Sequence, residues 1–270
     1  MQNDLLQKNS EYWSALCGSR AAKKIGLEAG DPGGVDKFDT WFFNFYPYLL
    51  DDQFIPWSSL RGNKVIEVGL GYGSVSRRLS TTNGQVVSVD VAPGAVNFAR
   101  DTAKNCSPVR ASALELPFPS DTFDLLVSLG CLHHTGDLAG SLRECLRVVK
   151  PGGKLIVMVY NRFSYKRWIV SPVDTIKHLL RERRGEYADS GRSAPRRVSW
   201  FWDRSPTGSA PPHTEFASHD QLRYLLRDAR SVEVVTVNID SLFEEQIRLS
   251  LLNSWLSRRL GLDLYVKVQK

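Results

Sequence analysis

The feature that most constrains this chain is an apolar run that stops in three glycines spaced two apart. Residues 64–68 have the pattern of a buried strand, the glycines fall within 69–73, and a helical pattern begins at Ser74. A strand that turns through glycines into a helix exposes bare backbone to a ligand and points the free N–H groups of the helix at it. Glu67 favours this interpretation over an ordinary glycine-rich turn, because a carboxylate near the end of a buried strand is costly unless something polar meets it.

Apolar runs and amphipathic segments alternate along the rest of the chain. Strands are predicted at 64–68, 85–90, 109–112, 123–129, 154–160, 232–239 and 262–268. Helices are predicted at 3–17, 93–104, 138–150, 164–183, 218–227 and 243–260. This alternation favours an α/β fold with a parallel sheet and helices on both faces. Ligands bind such sheets beyond the carboxyl ends of the strands, so we expect the glycine turn, Asp90, Ser112 and residues 129–135 to meet at one edge.

Two further segments interrupt or precede this pattern. Residues 1–58 are predicted to form an N-terminal helical and aromatic cap on a main domain at 59–270, with an insertion after the fifth strand at about 164–217. The aromatic stretch 38–50 can pack on the sheet as a core helix or wall a ligand site, and the sequence leaves both open. Residues 26–34 are predicted to form a loop.

Composition narrows the class of protein. Hydrophobic residues make up 42% and charged residues 24%, which is ordinary for a globular protein, and no apolar run approaches the roughly 20 residues that span a bilayer. The chain does not start with a secretory pattern, and its four cysteines form no Cys-x-x-Cys pair. We therefore expect a cytoplasmic protein with no metal site and no membrane partner.

The net charge of +6 is concentrated in one stretch. Residues 181–204 hold seven arginines against four acids. Such a patch can bind nucleic acid or an acidic substrate, but the Gly, Ser and Pro residues mixed into it favour a solvated insertion.

Several motifs follow one another in a specific order. They are Val-Ile-Glu-Val-Gly-Leu-Gly-Tyr-Gly at 65–73, Asp90, Leu-Pro-Phe-Pro at 116–119, Phe-Asp at 123–124, Leu-His-His-Thr at 132–135 and Arg-Val-Val-Lys-Pro-Gly-Gly at 147–153. In this order they resemble the class I S-adenosylmethionine-dependent methyltransferases, closely over 60–160 and more loosely over 218–270. A nicotinamide dinucleotide fold is the rival, but it would not place a carboxylate at Glu67.

The resemblance implies a Rossmann-like, doubly wound, seven-stranded and mostly parallel sheet whose last strand is antiparallel. It also implies S-adenosylmethionine as the cofactor, S-adenosylhomocysteine as its product, and a segment at 164–217 that covers the acceptor. The residues implied in cofactor binding are Glu67, Gly69, Leu70, Gly71, Gly73, Asp90, Val91, Ser112, Ala113, Leu114 and Gly130.

Roles within this set follow from the same resemblance. Glu67 would organise the glycine loop and the ammonium region of the donor, and Asp90 would accept from both ribose hydroxyls, as suits an ionised carboxylate. Val91 would lie against the adenine. Ser112 stands where many relatives have an acid, and a contact with adenine and simple turn chemistry are both open.

Three histidines are the candidates for catalysis. His133 and His134 follow the fourth strand, where the resemblance places the methyl group, and His213 lies in the insertion. A base is required if the acceptor must lose a proton, as an alcohol or phenol must. We expect His134 to be this base ahead of the other two, although a histidine can equally orient the acceptor.

The acceptor is the least constrained part of the prediction. We expect an oxygen of a small aromatic or apolar metabolite. A nucleic acid held by residues 181–204 and a non-catalytic, donor-binding scaffold are the alternatives, and a homo-oligomer stays open.

Overall fold

A computed structural model describes residues 2–16, 34–82, 84–187, 191–205, 207–239, 251–252 and 254–270. A seven-stranded sheet with the order β3-β2-β1-β4-β5-β7-β6 forms its centre. The strands are β1 (Lys64–Val68), β2 (Gln85–Asp90), β3 (Cys106–Arg110), β4 (Phe123–Leu129), β5 (Val149–Tyr160), β6 (Ser231–Val237) and β7 (Asp263–Gln269). Strands β1 to β5 are parallel, and β7 runs antiparallel between β5 and β6. The predicted doubly wound sheet with an antiparallel last strand is confirmed.

The helices cover both faces of this sheet. They are α1 (Gln2–Leu16), α2 (Val35–Phe45), α3 (Ser74–Ser80), α4 (Pro93–Thr102), α5 (Leu138–Val148), α6 (Tyr165–Val170), α7 (Pro172–Glu182), α8 (Arg196–Ser199), α9 (His219–Leu225) and α10 (Trp255–Leu260). Successive residues of β1 show why both faces are needed: Val65 packs into one buried apolar cluster and Ile66 into another. Because neighbouring side chains of a strand point to opposite faces, a strand covered on both sides is apolar throughout.

The structure corrects three predicted elements. The helix predicted at 164–183 is two helices, because Pro172 lacks an N–H and begins α7 at its first position after Ser171. Strand β3 lies at 106–110 and not at 109–112. As an edge strand it is only half-buried, so its sequence shows no apolar run.

The start of β5 is the third difference. The strand begins at Val149 and includes Pro151-Gly152-Gly153, whereas the preceding helix was predicted to reach residue 150 and the strand to begin at 154. Its pairing with β4 shifts register between Phe123 and Leu125, so the extra residues are absorbed as an irregularity in the ladder. Other predicted ends differ by a few residues, as element ends commonly do. Residues 26–33 of the loop predicted at 26–34 and the first part of the helix predicted at 243–260 lie outside the described residues.

The aromatic segment before the glycine loop contacts both the core and the glycine loop, and its role as a wall of a ligand site stays a prediction. Leu49 and Ile55 join the apolar cluster beside β1, whereas the Phe38 ring stacks on Tyr72 of the glycine loop at 4.1 Å. The division of the chain at residue 58 stays a prediction. Among the described residues, no helix is long and apolar enough to cross a membrane.

Candidate active site

The glycine loop between β1 and α3 is shaped by three glycines with positive φ. At Gly69, where φ is +91°, an added Cβ would lie 2.4 Å from Cβ of Cys131, so any side chain would collide with the segment after β4. At Gly71, where φ is +52°, an added Cβ would meet no atom within 4 Å. The loop therefore presents bare backbone to open space at Gly71, and this geometry fits a ligand that lies along it.

Asp90 ties this loop to the end of β2. One carboxylate oxygen accepts the Leu70 N–H and the other accepts the Ala92 N–H, both at 2.8 Å. Burial raises the pKa of Asp90, and these backbone hydrogen bonds oppose the rise. The Gly71 and Val91 N–H groups also lower the pKa of Asp90 by hydrogen bonding, so the carboxylate is held by the backbone on both sides of the loop.

Glu67 is buried beneath the loop and has a polar partner there. Its carboxylate accepts a hydrogen bond from the Ser76 hydroxyl in α3. Ser76 Oγ lies 2.5 Å from Ser88 Oγ, which in turn lies 2.9 Å from Cys106 Sγ. Burial raises the pKa of Glu67 to about 8. The contact joins β1 to the helix that follows the glycines, which supports the loop-organising role; the ammonium contact stays a prediction.

The remaining residues implied in cofactor binding lie at the same edge of the sheet. The Ser112 hydroxyl accepts the Leu114 N–H at 3.2 Å, so it takes part in the turn after β3. Ala113 is buried in the core, and Val91 is half-buried at the end of β2. Gly130 has φ of +74° directly after β4.

Polar groups of three other residues, His213, Asp203 and Tyr160, lie around the His134 ring. Its Nδ1 lies 2.7 Å from the carbonyl oxygen of His213, which can only accept, so Nδ1 carries the hydrogen. Its Nε2 lies 3.5 Å from Oδ2 of Asp203, and the Tyr160 hydroxyl donates to the same oxygen at 2.8 Å. Burial and the neighbouring Asp203 raise the pKa of Tyr160 well above its usual value, so Tyr160 stays protonated and donates.

The other two candidate histidines lie in the same cluster with different surroundings. His133 is fully buried and its ring lies 4.1 Å from that of Tyr160. Burial lowers the pKa of His133 well below its usual value, so the ring is neutral. Nε2 of His213 lies 3.2 Å from Glu215, whose carboxylate also accepts the Leu138 N–H at the start of α5.

Asp203 is the residue that the sequence analysis missed. It lies in the insertion, among arginines and without hydrophobic periodicity, so nothing local distinguishes it from a solvated acid. Helix α1, part of the predicted cap, contacts the same histidine. The Asn9 side chain donates to the His134 carbonyl at 2.8 Å, and the Trp13 ring lies 4.7 Å from the His134 ring.

Comparison with known proteins finds a domain match over part of the chain. The family model described as "Methyltransferase domain" matches residues 66–157. A demethylmenaquinone methyltransferase of Tropheryma whipplei (strain Twist) is 34% identical over 113 residues, which cover 41% of this chain and 46% of the relative. The ubiquinone/menaquinone biosynthesis C-methyltransferase UbiE of Vibrio vulnificus (strain YJ016) is 34% identical over 110 residues, which cover 37% and 42%. The matched region thus spans less than half of either relative.

Solved structures cover more of the chain at lower identity. An S-adenosylmethionine-dependent methyltransferase from Mesorhizobium loti has a TM-score of 0.56 at 18% identity, over 84% of this chain and 98% of that one. Another from Archaeoglobus fulgidus has a TM-score of 0.53 at 15% identity, over 92% and 97%. At this identity the likeness shows the fold. Residues 66–157 match the methyltransferase domain, and the described residues have the fold of S-adenosylmethionine-dependent methyltransferases.

Proposed function

We propose that the chain moves a methyl group from S-adenosylmethionine to a small, flat and largely apolar acceptor that carries a hydroxyl. The observation that carries this proposal is the cluster of His134, Asp203 and Tyr160, which follows the same sheet edge as the glycine loop. The insertion and α1 cover this cluster, so it is a polar site within apolar and aromatic walls, as small-molecule sites are. When bound, the cofactor supplies an activated methyl group.

The donor would be held by the loop and the residues around it. Gly71 offers open backbone, and Asp90, oriented by backbone N–H groups, would accept from the ribose hydroxyls of the donor. Ser112, Val91 and Gly130 stand at the same edge and would line the adenine side.

His134 is the group best placed to take a proton from the acceptor. Because Nδ1–H donates to the His213 carbonyl, the neutral ring has its lone pair on Nε2. When the acceptor hydroxyl gives its proton to Nε2, the imidazolium that forms has the Asp203 carboxylate 3.5 Å away. Tyr160 holds that carboxylate in place. The His213 carbonyl orients the ring, and a carboxylate beside the basic nitrogen favours its protonated form by charge attraction.

Oxygen is the acceptor atom that we propose first, and carbon is the second candidate. The name of the Vibrio vulnificus relative, a C-methyltransferase, favours carbon. Both outcomes use the same base, because a phenolate carries negative charge on its oxygen and on ring carbons. Incubation with methyl-labelled donor and either simple phenols and naphthols or reduced demethylmenaquinone, followed by NMR of the product, distinguishes an O-methyl from a C-methyl group.

The same assay can overturn the proposal. Label that enters total RNA but no small acceptor would support the nucleic-acid alternative. Donor binding by calorimetry with no label in any small acceptor would indicate a donor-binding scaffold.

Asp90→Ala tests the donor site. We expect donor binding to weaken by about 1–3 kcal/mol, because the change removes hydrogen bonds to a charged group and frees the Leu70 N–H. Calorimetric titration of donor into the variant measures the loss. The matched control is Asp101→Ala, which removes an exposed acid from α4. Equal affinities of wild type and Asp90→Ala would contradict the ribose assignment.

A further inference from the structure

Helix α7 presents its apolar side chains to solvent. Val173, Ile176 and Leu180 are 62%, 47% and 46% exposed, whereas the polar Thr175 between them is fully buried. Their spacing of three and four residues places the three on one stripe of the helix. A surface helix normally has the opposite arrangement, so this stripe is suited to a partner and not to the core.

The stripe belongs to a larger apolar surface in the insertion. Among the described residues, six of the ten exposed large apolar side chains lie between 169 and 201: Ile169, Val173, Ile176, Leu180, Trp200 and Phe201. A hydrogen bond joins helix α6, which carries Ile169, to the segment that carries Trp200 and Phe201. Nζ of Lys166 in α6 donates to the Phe201 carbonyl at 2.5 Å. Isolated exposed apolar residues need no explanation, but a concentration of this kind marks an interaction site.

Positive charge lies beside the stripe. Lys177 and Arg181 are exposed on the same side of α7. The acids of this helix offset only part of that charge: the half-buried Asp174 lies one turn from Lys177 and attracts it, and Glu182 pairs with the buried Arg162 at 3.1 Å. The exposed face of α7 is therefore apolar and cationic.

Arg183 and Arg184 continue the positive charge directly after the helix, and both are exposed. Arg181, Arg183 and Arg184 form the first part of the arginine-rich stretch at 181–204. The proposed methyl-transfer site uses none of these three arginines. Lys177, Arg181, Arg183 and Arg184 thus lie within or directly after the apolar stripe, and among the described residues only Arg184 has an exposed acid nearby, Glu186 at 4.0 Å.

Three kinds of partner could cover such a face, and the charge selects among them. A single-stranded nucleic acid would use aromatic stacking and cations, and the aliphatic stripe would gain nothing. A second copy would bring these cations against one another, which is unfavourable. An anionic lipid surface satisfies both features, because apolar side chains enter the acyl boundary while lysine and arginine meet the headgroups.

We propose that α7 lies along an anionic lipid membrane surface, with Val173, Ile176 and Leu180 inserted and with Lys177 and Arg181 on the headgroup phosphates. No membrane partner was expected from the sequence, because no apolar run is long enough to span a bilayer. This reason excludes only a helix that crosses the membrane. A helix that lies in the membrane–water interface needs only one apolar face.

The proposal goes beyond the methyl-transfer reaction and does not depend on it. The insertion that carries α7 also supplies Asp203 to the site. Docking through α7 would bring the covered site to the bilayer, where an apolar acceptor concentrates.

Co-sedimentation of the full chain with vesicles tests the proposal. We expect binding to phosphatidylcholine vesicles that contain phosphatidylglycerol, and much weaker binding to phosphatidylcholine alone or at high salt. Ile176→Glu should lower the partition coefficient about tenfold or more. The change removes an aliphatic side chain that inserts into the membrane and adds a negative charge that the anionic lipids repel. Lys177→Gln with Arg181→Gln should lower it about fivefold for each cation removed.

Matched controls alter other surfaces. Trp255→Gln removes an apolar side chain that is 70% exposed on α10, and Arg258→Gln with Arg259→Gln removes the same charge from that helix. Both controls should bind vesicles as the wild type does. All of these side chains are exposed, and unchanged circular dichroism confirms that each variant is folded.

Several results would overturn the proposal. One is no binding to the anionic vesicles, and another is equal loss in the α10 controls, which would indicate non-specific charge attraction. A dimer that Ile176→Glu converts to a monomer, without vesicle binding, would assign the stripe to a second copy. Binding of RNA that requires Lys177 and Arg181, again without vesicle binding, would assign it to nucleic acid.

Discussion

His134→Ala is expected to lower kcat about 10²–10⁴-fold, the range that a positioned general base contributes, while donor affinity stays unchanged. The reason is geometric: His134 has its lone pair on Nε2, and the Asp203 carboxylate lies close enough to stabilise the imidazolium. Single-turnover rates with a phenolic acceptor, measured beside calorimetric donor binding, separate the proton step from cofactor binding. His178→Gln, a half-buried histidine of α7, is the matched control and should retain activity.

Asp203→Asn distinguishes a positioning carboxylate from a structural one. The amide keeps the shape and can still accept from the Tyr160 hydroxyl, but it removes the charge that stabilises protonated His134. A merely structural acid would tolerate this change. We expect a lower kcat with little change in KM, and partial recovery in Asp203→Glu.

The outcome that contradicts this assignment is specific. If His134→Ala and Asp203→Asn both retained wild-type kcat at every pH, neither group would take part in proton removal. The acceptor would then be one that needs no base, such as an amine or an already ionised oxygen.

The parts of the fold that were predictable are those in which local sequence and tertiary packing agree. Strand β1 and the glycines after it were predicted at their observed positions, because a strand buried on both faces is apolar throughout and a turn of positive φ requires glycine. Strand β3 was misplaced because an edge strand needs no such run. The predicted helix over 164–183 failed at Pro172, where one residue without an N–H divides a continuous amphipathic pattern.

The candidate site was predictable only as far as the strand ends determine it. Asp90 and His134 follow strands, so topology alone brings them to one edge. Asp203 reaches His134 from an irregular segment, and no periodicity encodes such a contact. The outward direction of the α7 stripe was not predictable either, although the helix itself has a clear hydrophobic period. Such a pattern shows that a helix has an apolar side but not whether that side faces the protein or the solvent.

Glu67→Gln is expected to flatten the dependence of stability on pH. The ordinary pKa of this carboxyl is 4.5, and burial raises it to about 8 in the folded chain. Between these values the unfolded chain has lost the proton and the folded chain has kept it, so the free energy of unfolding falls as pH rises. The fall approaches about 1.4 kcal/mol per pH unit and sums to about 5 kcal/mol over the window. Glutamine does not ionise, so it contributes no pH dependence, and its amide oxygen can still accept a hydrogen bond from Ser76.

Urea unfolding at a series of pH values, for wild type and variant side by side, measures this difference directly. Other buried acids such as Asp90 also contribute to the wild-type slope, so the quantity to compare is the gap between the two curves. The gap should widen in favour of Glu67→Gln from pH 4.5 up to about 8 and stay constant above it. The exposed Glu115→Gln is the control and should follow the wild type. Parallel curves for wild type and Glu67→Gln would mean that Glu67 is ionised in the folded protein, and the support beneath the glycine loop would then be an ion and not a neutral acid.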